Sequence, residues 1–449
     1  HGRNVAIGNE ALKLQNAGDN AYNVAVGYQA GLNVTTGTVN TLIGGLAGDA
    51  LTEGNNNVAV GISALSTETL GDRNVAIGSN ALSSQNNTSD TDVYNVAVGY
   101  NAGISVTTGA NNILIGGKSG DSLTSGSYNV AIGKNALQAE DAHGRNIAIG
   151  HAALEDQNAG ADAYNIAIGY QAGKDISTGV QNTILGGLAG DAITTGANNV
   201  LMGHNAGSSL VEGSYNIAIG ALALDAEDGH GTNVAIGHST LTAQDAGTNA
   251  YNVAIGHDAG KSVSTGANNT IIGGLAGDAL TTGANNVAIG YGALSVEDGH
   301  GRSVAIGSLS LLNQNAGADS YNVAVGYGSA SNLTTAIHCT VLGGQAGNSL
   351  TDGGNNTLIG RLAGGALTSG TQNVAIGAFA LDLEDDHGAN VAVGHAALTA
   401  QNAGADGYNV AVGHKAGEDV STGIQNTIIG AKAGDAVTTG GNNIIIGYN

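Results

Sequence analysis

The chain has 449 residues, with 76 glycines, no proline or tryptophan, one cysteine and only 10 % charged residues. A single cysteine excludes an internal disulfide and a cysteine-based metal cluster, and no apolar run approaches the ~18 residues that a membrane helix needs, so we expect no membrane segment. The formal net charge of −23, with 12 lysines and arginines, argues against nucleic acid as a partner, because that binding depends on neutralising phosphates.

A five-residue signature recurs along the whole chain and ends in glycine. It reads Asn-Val-Ala-Ile-Gly at 4–8, Asn-Val-Ala-Val-Gly at 23–27 and Asn-Thr-Leu-Ile-Gly at 40–44, and it continues to Asn-Ile-Ile-Ile-Gly at 443–447. Successive signature glycines are mostly 17 residues apart, with several spacings of 19 and one of 21. A short period of this kind indicates stacked repeats, each of which contacts only its neighbours.

A longer period overlies the short one. Equivalent segments start near residues 4, 74, 146, 233, 303 and 390, at spacings of 70, 72 or 87 residues. The difference between 87 and 70 is 17, which is one additional repeat, and one such repeat begins at Asn199. We therefore predict a single continuous repeat domain over 1–449, in which insertions arrive as whole coils, and we interpret it as a fragment of a longer fibre.

Each signature has the pattern of a short strand followed by a turn. Val5 and Ile7 alternate with Ala6, which places them on opposite faces of a strand, and Val and Ile favour strands. Gly8 can turn the chain by adopting a positive φ. In a helix, glycines at this frequency would cost ~1 kcal/mol each. We predict an all-β fold, a parallel β-solenoid (β-roll) of about 26 coils of 17–19 residues.

The asparagines that open the signatures form a column in such a stack. The first members are Asn4, Asn23, Asn40, Asn57 and Asn74. Stacked amides can hydrogen-bond from layer to layer, so we predict a structural asparagine ladder, interrupted at Ser303 and Cys339. The alternative is that each asparagine caps a turn, since asparagine tolerates the left-handed conformation.

The strand alanines suggest association. Ala6, Ala25, Ala59 and Ala76 repeat on one face, and such a face is too small to fill a core by itself. Small residues let backbones pack closely, so we predict that several solenoids, most plausibly three, pack along a common axis as a homotrimeric fibre. The alternative is that these alanines face solvent.

Four loops share the pattern Glu-Asp-x-His, and we call them the acidic loops. Their residues are Glu140, Asp141 and His143; Glu227, Asp228 and His230; Glu297, Asp298 and His300; and Glu384, Asp385 and His387. Carboxylates suit Ca²⁺ and imidazole suits transition metals, so these residues are candidate ligands for calcium or another divalent ion. A histidine often follows the next strand, at His151, His238 and His395. The alternative is a solvated loop whose charge keeps the protein soluble. We expect that the chain requires no cofactor. Calcium is the candidate for an ion that these loops could bind.

A second kind of acidic loop precedes tyrosine. Asp162, Asp319 and Asp406 lie shortly before the Tyr-Asn pairs at 164–165, 321–322 and 408–409. The tyrosines are candidates for a glycan-binding stripe, and the alternative is that they shield the edge of a coil. Catalysis needs a unique constellation in a pocket, whereas every candidate group here is repeated. We therefore predict that the chain is not an enzyme.

The signatures also resemble known fibre repeats. Asn-Val-Ala-Ile-Gly-x-x-Ala resembles the head repeat of trimeric autotransporter adhesins, a left-handed parallel β-roll that closes as a trimer, although that repeat is shorter. The segments 22–31 and 269–286 are similar to the repeat of phage-type tail fibres. This resemblance implies an extracellular structural fibre on a virion tail or a cell surface, with a glycan or protein receptor as partner. The alternatives are a bacterial surface adhesin and a calcium-dependent self-assembling filament.

Overall fold

The computed structural model describes residues 2–449, which form two compact units, His1–Leu222 and Ala223–Asn449. Each unit is an all-β parallel solenoid, so the predicted fold class is confirmed. Within the described residues every signature contributes one three-residue strand, and no helix is present. The described chain accordingly offers no helix of the length and apolarity needed to span a membrane.

The strands are short and evenly distributed. In the first unit they are β1 Val5–Ile7, β2 Val24–Val26, β3 Thr41–Ile43, β4 Val58–Val60, β5 Val75–Ile77, β6 Val96–Val98, β7 Ile113–Ile115, β8 Val130–Ile132, β9 Ile147–Ile149, β10 Ile166–Ile168, β11 Thr183–Leu185, β12 Val200–Met202 and β13 Ile217–Ile219. In the second unit they are β14 Val234–Ile236, β15 Val253–Ile255, β16 Thr270–Ile272, β17 Val287–Ile289, β18 Val304–Ile306, β19 Val323–Val325, β20 Thr340–Leu342, β21 Thr357–Ile359, β22 Val374–Ile376, β23 Val391–Val393, β24 Val410–Val412, β25 Thr427–Ile429 and β26 Ile444–Ile446.

Successive strands within each unit pair in parallel and in register. Val5 lies beside Val24 and Ala6 beside Ala25, and the same registration relates each following pair in the first unit and in the second. Equivalent residues of successive coils therefore stack in columns. Each column experiences one environment along its length, which explains why the sequence repeats.

The signature glycines are required by both conformation and space. Gly27 has φ +145, a conformation that side-chain-bearing residues rarely adopt. A Cβ on Gly27 would lie 2.3 Å from the carbonyl oxygen of Gly44 in the next coil. Any larger residue would push neighbouring coils apart, so glycine recurs where the chain leaves each strand.

The core of each unit consists of small aliphatic side chains. The middle strand residue points inward, and Ala25 and Leu42 are both fully buried. Large and small residues compensate one another, because a Cβ on Gly31 or Gly48 would lie 2.7 or 2.8 Å from Leu42. In the next coil the middle strand residue is Ala59 instead of leucine. The position equivalent to Gly48 is then occupied by Leu65, which is buried.

For Ala25, Ala59 and Ala76 the prediction of an external association surface is wrong, and so is its alternative that they face solvent, whereas Ala6 in β1 is exposed. Ala25, Ala59 and Ala76 are 0 % exposed, because the interior of a 17-residue coil is narrow enough for alanine and leucine to fill it. The first and third residues of each strand point outward instead, and Ile43 and Ile77 are 39 % and 38 % exposed. We call these two columns the outer face.

The signature asparagines connect each coil to the next. The Asn23 N–H donates to Asn4 Oδ1 at 2.8 Å, and the Asn40 N–H donates to Asn23 Oδ1 at 2.8 Å. Asn57 and Asn74 continue the series, at 2.9 Å each. The principal link is therefore from side chain to backbone, whereas amide-to-amide bonds such as Asn74 Nδ2 to Asn57 Oδ1 are occasional.

Candidate functional site

The acidic loops occupy equivalent positions on their coils. The loop of Glu140 lies between β8 and β9, that of Glu297 between β17 and β18, and that of Glu384 between β22 and β23, while the loop of Glu227 precedes β14. Each of these glutamates is buried, at 0–1 % exposure. The expectation of a merely solvated loop therefore does not describe the glutamates.

Each glutamate folds back on its own loop. In the first acidic loop the backbone N–H of His143 donates to Glu140 Oε1 at 3.1 Å, and His143 Nδ1 lies 3.7 Å from the same oxygen. The other three loops repeat this arrangement, with Nδ1 to Oε1 distances of 4.0, 3.7 and 3.6 Å. One ligand atom from each Glu, Asp and His of a loop lies within 4.8 Å of the other two. The structure thus brings together the three residues of all four predicted sets.

Burial dominates the electrostatics of these loops. It raises the pKa of the Glu140 and Glu297 carboxyls, and it raises the pKa of Glu227 and Glu384 to about 7. The N–H of the histidine three residues later opposes this effect but does not cancel it, because desolvation disfavours the charged form more strongly. The acidic loops therefore hold carboxyl groups that bind protons more readily than exposed glutamates do.

A fifth buried glutamate, Glu68, occupies the same position on an earlier coil, where Thr69 and Gly71 replace the Asp and His. Its carboxylate is saturated with donors. Oε1 accepts the backbone N–H groups of Thr69, Leu70, Gly71 and Asn87, and Oε2 accepts the side-chain amides of Gln85 and Asn87. Sequence reasoning missed this residue because it lacks the Asp-x-His partners, although Glu68 lies three residues before Gly71 as Glu140 lies three residues before His143.

The histidines that follow the strands do not join the acidic loops. His151 stacks on Tyr170, with ring centroids 5.5 Å apart, and His395 stacks on His414 at 5.3 Å. His238 stacks on His257 and forms a separate cluster with Asp258. Both histidines of that cluster are exposed. Its signal in the sequence was the repeated Gly-His at 237–238 and 256–257.

The second kind of acidic loop has a structural role in the described contacts. Asp162 Oδ1 accepts the N–H of Gly144 at 2.9 Å, and Asp319 and Asp406 make the same bond to Gly301 and Gly388. The other Asp162 oxygen pairs with the guanidinium of Arg145. These aspartates join each loop to the coil before it.

The adjoining tyrosines form an exposed column with arginine. The Arg145 guanidinium lies over Tyr128 and Tyr164, 5.9 and 5.6 Å from the ring centroids. Arg302 lies over Tyr321 in the same way, at 5.5 Å. The rings remain open to solvent, and Tyr164 is 51 % exposed. Such cation–π pairs order the column while leaving ring area available.

The outer face of each unit is a surface feature that repeats on every coil. Its residues are Val, Ile, Leu and Met, with occasional threonines such as Thr41 and Thr183. They are half-buried or exposed. Surfaces of soluble proteins rarely carry so continuous an apolar area unless it serves an interaction.

No protein-family model matches the sequence, and a comparison with curated proteins finds no match.

Proposed function

We propose that this chain is a structural component of an extracellular fibre, a phage-like tail fibre or a related filament, to which it gives reach and rigidity. The observation that carries the proposal is the outer face, whose third-residue column is apolar on every coil of each unit and whose side chains remain half-buried or exposed. The resemblance of the repeat to fibre repeats supports the same conclusion.

Further copies of this chain are the occupants that best fit the outer face. Its columns repeat with the coil spacing, so a partner with the same spacing can match them along the whole unit. A homotrimer with the outer faces turned toward a common axis buries this apolar area. Burial of apolar surface stabilises by ~25 cal/mol per Å², so a contact repeated on every coil becomes strong.

We propose no enzymatic role for the chain. The carboxylate and histidine groups recur in equivalent loops, whereas a catalytic site requires a unique arrangement beside a substrate pocket.

Analytical ultracentrifugation of the full chain tests the proposed association. We expect a species of three times the chain mass of 43.8 kDa, and a stable monomer would contradict the proposal. Ile77→Lys combined with Ile115→Lys places two charges on the outer face at positions that are already exposed. This variant should dissociate while keeping its circular dichroism spectrum. Ile62→Lys is the matched control, because Ile62 is 64 % exposed and lies outside the strands.

Surface attachment, as in an adhesin, is the second candidate, and the exposed tyrosine column favours it. Tyr128, Tyr164 and Tyr215 are 59, 51 and 65 % exposed, and aromatic faces of this kind can pack on sugar rings. A glycan array probed with wild-type chain and with Tyr128→Ala plus Tyr215→Ala tests this candidate. Binding that disappears in the variant supports attachment through the column, and equal binding contradicts it.

A further inference from the structure

We propose that the acidic loops of Glu140, Glu297 and Glu384 each bind a divalent transition-metal ion such as Zn²⁺. The ligands are the Glu carboxylate, the neighbouring Asp carboxylate and the histidine Nδ1 of the same loop. The proposal is independent of the fibre function, since it concerns groups inside individual coils.

The first support is an unsatisfied, buried pair of ligand atoms in each loop. Oε2 of Glu140, Glu297 and Glu384 has no hydrogen-bond partner, although these side chains are 0–1 % exposed. The Nδ1 atoms of His143, His300 and His387 are likewise buried without a partner. An unpaired buried polar atom has lost its hydrogen bonds to water and gained none in exchange, which is unfavourable. A cation between the two groups would satisfy both.

The second support is the contrast with Glu68, which has no Asp or His beside it. There the side-chain amides of Gln85 and Asn87 donate hydrogen bonds to Glu68 Oε2, at 2.9 Å each. In the three proposed loops alanine stands at the position of Asn87, as Ala159, Ala316 and Ala403. The chain thus lacks this donor in the loops that carry the potential ligands.

The glutamine equivalent to Gln85 does not replace that donor either. Gln157 Nε2 donates to the carbonyl of Ser177 at 3.2 Å, and the Nε2 atoms of Gln314 and Gln401 have no partner. Asn146, which occupies the position that Asn233 has in the Glu227 segment, also has an Nδ2 without a partner. Hydrogen bonds from these amides to Oε2 are the alternative to a metal ion, and the titration described below distinguishes the two.

The donor set selects the metal. Ca²⁺ takes 6–8 oxygen ligands, whereas each loop offers one imidazole nitrogen and two carboxylates. Zn²⁺ binds such ligands at ~2.0–2.2 Å, which places tetrahedral ligand atoms ~3.3–3.5 Å apart. The Oε1 to Nδ1 distances of 3.7, 3.7 and 3.6 Å place each imidazole nitrogen beside the carboxyl group whose Oε2 is unpaired, and one ligand atom from each Glu, Asp and His lies within 4.8 Å of the other two. The half-exposed histidine leaves a side open for a water ligand and for entry of the ion.

The loop of Glu227 differs and is left out of the proposal. Asn233 Nδ2 donates to Glu227 Oε2 at 3.3 Å, so this carboxylate already has a partner on its second oxygen.

Isothermal titration calorimetry of the metal-free full chain with ZnCl₂, and in parallel with CaCl₂, tests the proposal. We expect the variant His143→Gln, His300→Gln, His387→Gln to bind three fewer equivalents of Zn²⁺ than the wild type. His204→Gln is the matched control, because His204 is exposed and belongs to none of the clusters, and it should bind as the wild type does. Equivalents that remain in the triple variant belong to the Glu227 loop or to His238, His257 and Asp258.

Three results would overturn the proposal: no Zn²⁺ binding by the wild type, equal binding by the triple variant, or binding of Ca²⁺ alone. The first result would mean that the neighbouring amides donate hydrogen bonds to the glutamate Oε2 atoms in place of a metal ion. If the triple variant does not fold, as judged by circular dichroism, the three single variants decide the question. Each should lose one equivalent of Zn²⁺ relative to the wild type.

Discussion

Asparagine opens the strands because its side chain serves two coils at once. Asn57 Oδ1 accepts the N–H of Asn74 in the next coil, while Asn57 Nδ2 donates to the carbonyl of Gly71 in its own coil, both at 2.9 Å. Neither aspartate nor serine offers a donor and an acceptor with this reach. The residue thus closes one coil and joins it to its neighbour, and it does so without contact with water.

Asn57→Ala should therefore destabilise the protein by about 2–5 kcal/mol, because it leaves two buried backbone groups without their partners. Chemical denaturation followed by circular dichroism measures the change. Asn158→Ala is the matched control, since Asn158 is exposed, and it should change stability little. Equal effects of the two substitutions on stability would contradict the stabilising role of the asparagine ladder.

Cys339 allows the opposite experiment. Its N–H still donates to Asn322 Oδ1 at 2.8 Å, and its Sγ lies 3.4 Å from the carbonyl oxygen of Gly353. Sulfur is a weak hydrogen-bonding group, so Cys339→Asn should stabilise the protein by ~1 kcal/mol. Thermal unfolding of the variant checks this, and a lower unfolding temperature than that of the wild type would contradict it.

The buried glutamates predict a pH dependence with a definite sign. The pKa of Glu384 is raised from 4.5 to about 7 in the folded protein, so the folded state binds more protons than the unfolded state between these values. The stabilising contribution of this carboxyl is complete below pH 4.5 and is lost as the pH rises through 7. In EDTA, Glu384→Gln should remove that dependence and be more stable than the wild type at pH 8.

Glu68→Gln is the matched comparison for that experiment. Both oxygens of Glu68 only accept hydrogen bonds, so an amide would place its own N–H groups against other donors. Glu68→Gln should therefore destabilise the protein at the same pH. The account fails if both substitutions shift the unfolding midpoint in the same direction.

At the scale of the element, the strand positions follow from the sequence but the direction of their faces does not. The alternation of Val5, Ala6 and Ile7 indicates that the two faces of the strand differ, and the signature glycine marks where each strand ends. Which face points inward depends on the width of the closed coil, a property of the whole turn rather than of the strand. In these coils the interior accepts Ala59 or Leu42, and the bulkier pair of β-branched residues lies outside.

The burial of the acidic-loop glutamates could not be predicted from the sequence for a similar reason. A carboxylate in a Gly-rich loop ordinarily faces water, and the pattern Glu-Asp-x-His says nothing of the next coil. Burial comes from the bond between Glu140 Oε1 and the N–H of His143, together with the coil that stacks over the loop. The convergence of the three side chains was predictable, since they are neighbours in one loop.

Deleting residues 200–216 tests whether the coil is the unit of construction. The deletion removes one 17-residue coil of the first unit and converts the 87-residue segment that starts near 146 into the 70-residue form already present near 233. We expect an unchanged type of circular dichroism spectrum and a small shift in the unfolding temperature. Deleting only residues 200–207 puts the next signature out of register and should destabilise strongly; equal effects of the two deletions would contradict a coil-based architecture.

At the scale of the whole molecule, the two solenoid units have the same internal design. In each, in-register strands place aliphatic residues inside, asparagines between coils and β-branched residues on the outer face. The internal hydrogen bonds stabilise the individual chain, whereas the outer face gains stability only when something covers it. Stability and association should consequently respond to different substitutions, the first to the asparagine column and the second to the outer face.

The most direct test of this account is an experimental density map of the full chain. It should contain one short strand for every signature, with parallel neighbours ~4.8 Å apart and the asparagine column between successive coils of each unit. Helices, antiparallel hairpins, or strands out of step with the signature glycines would contradict it.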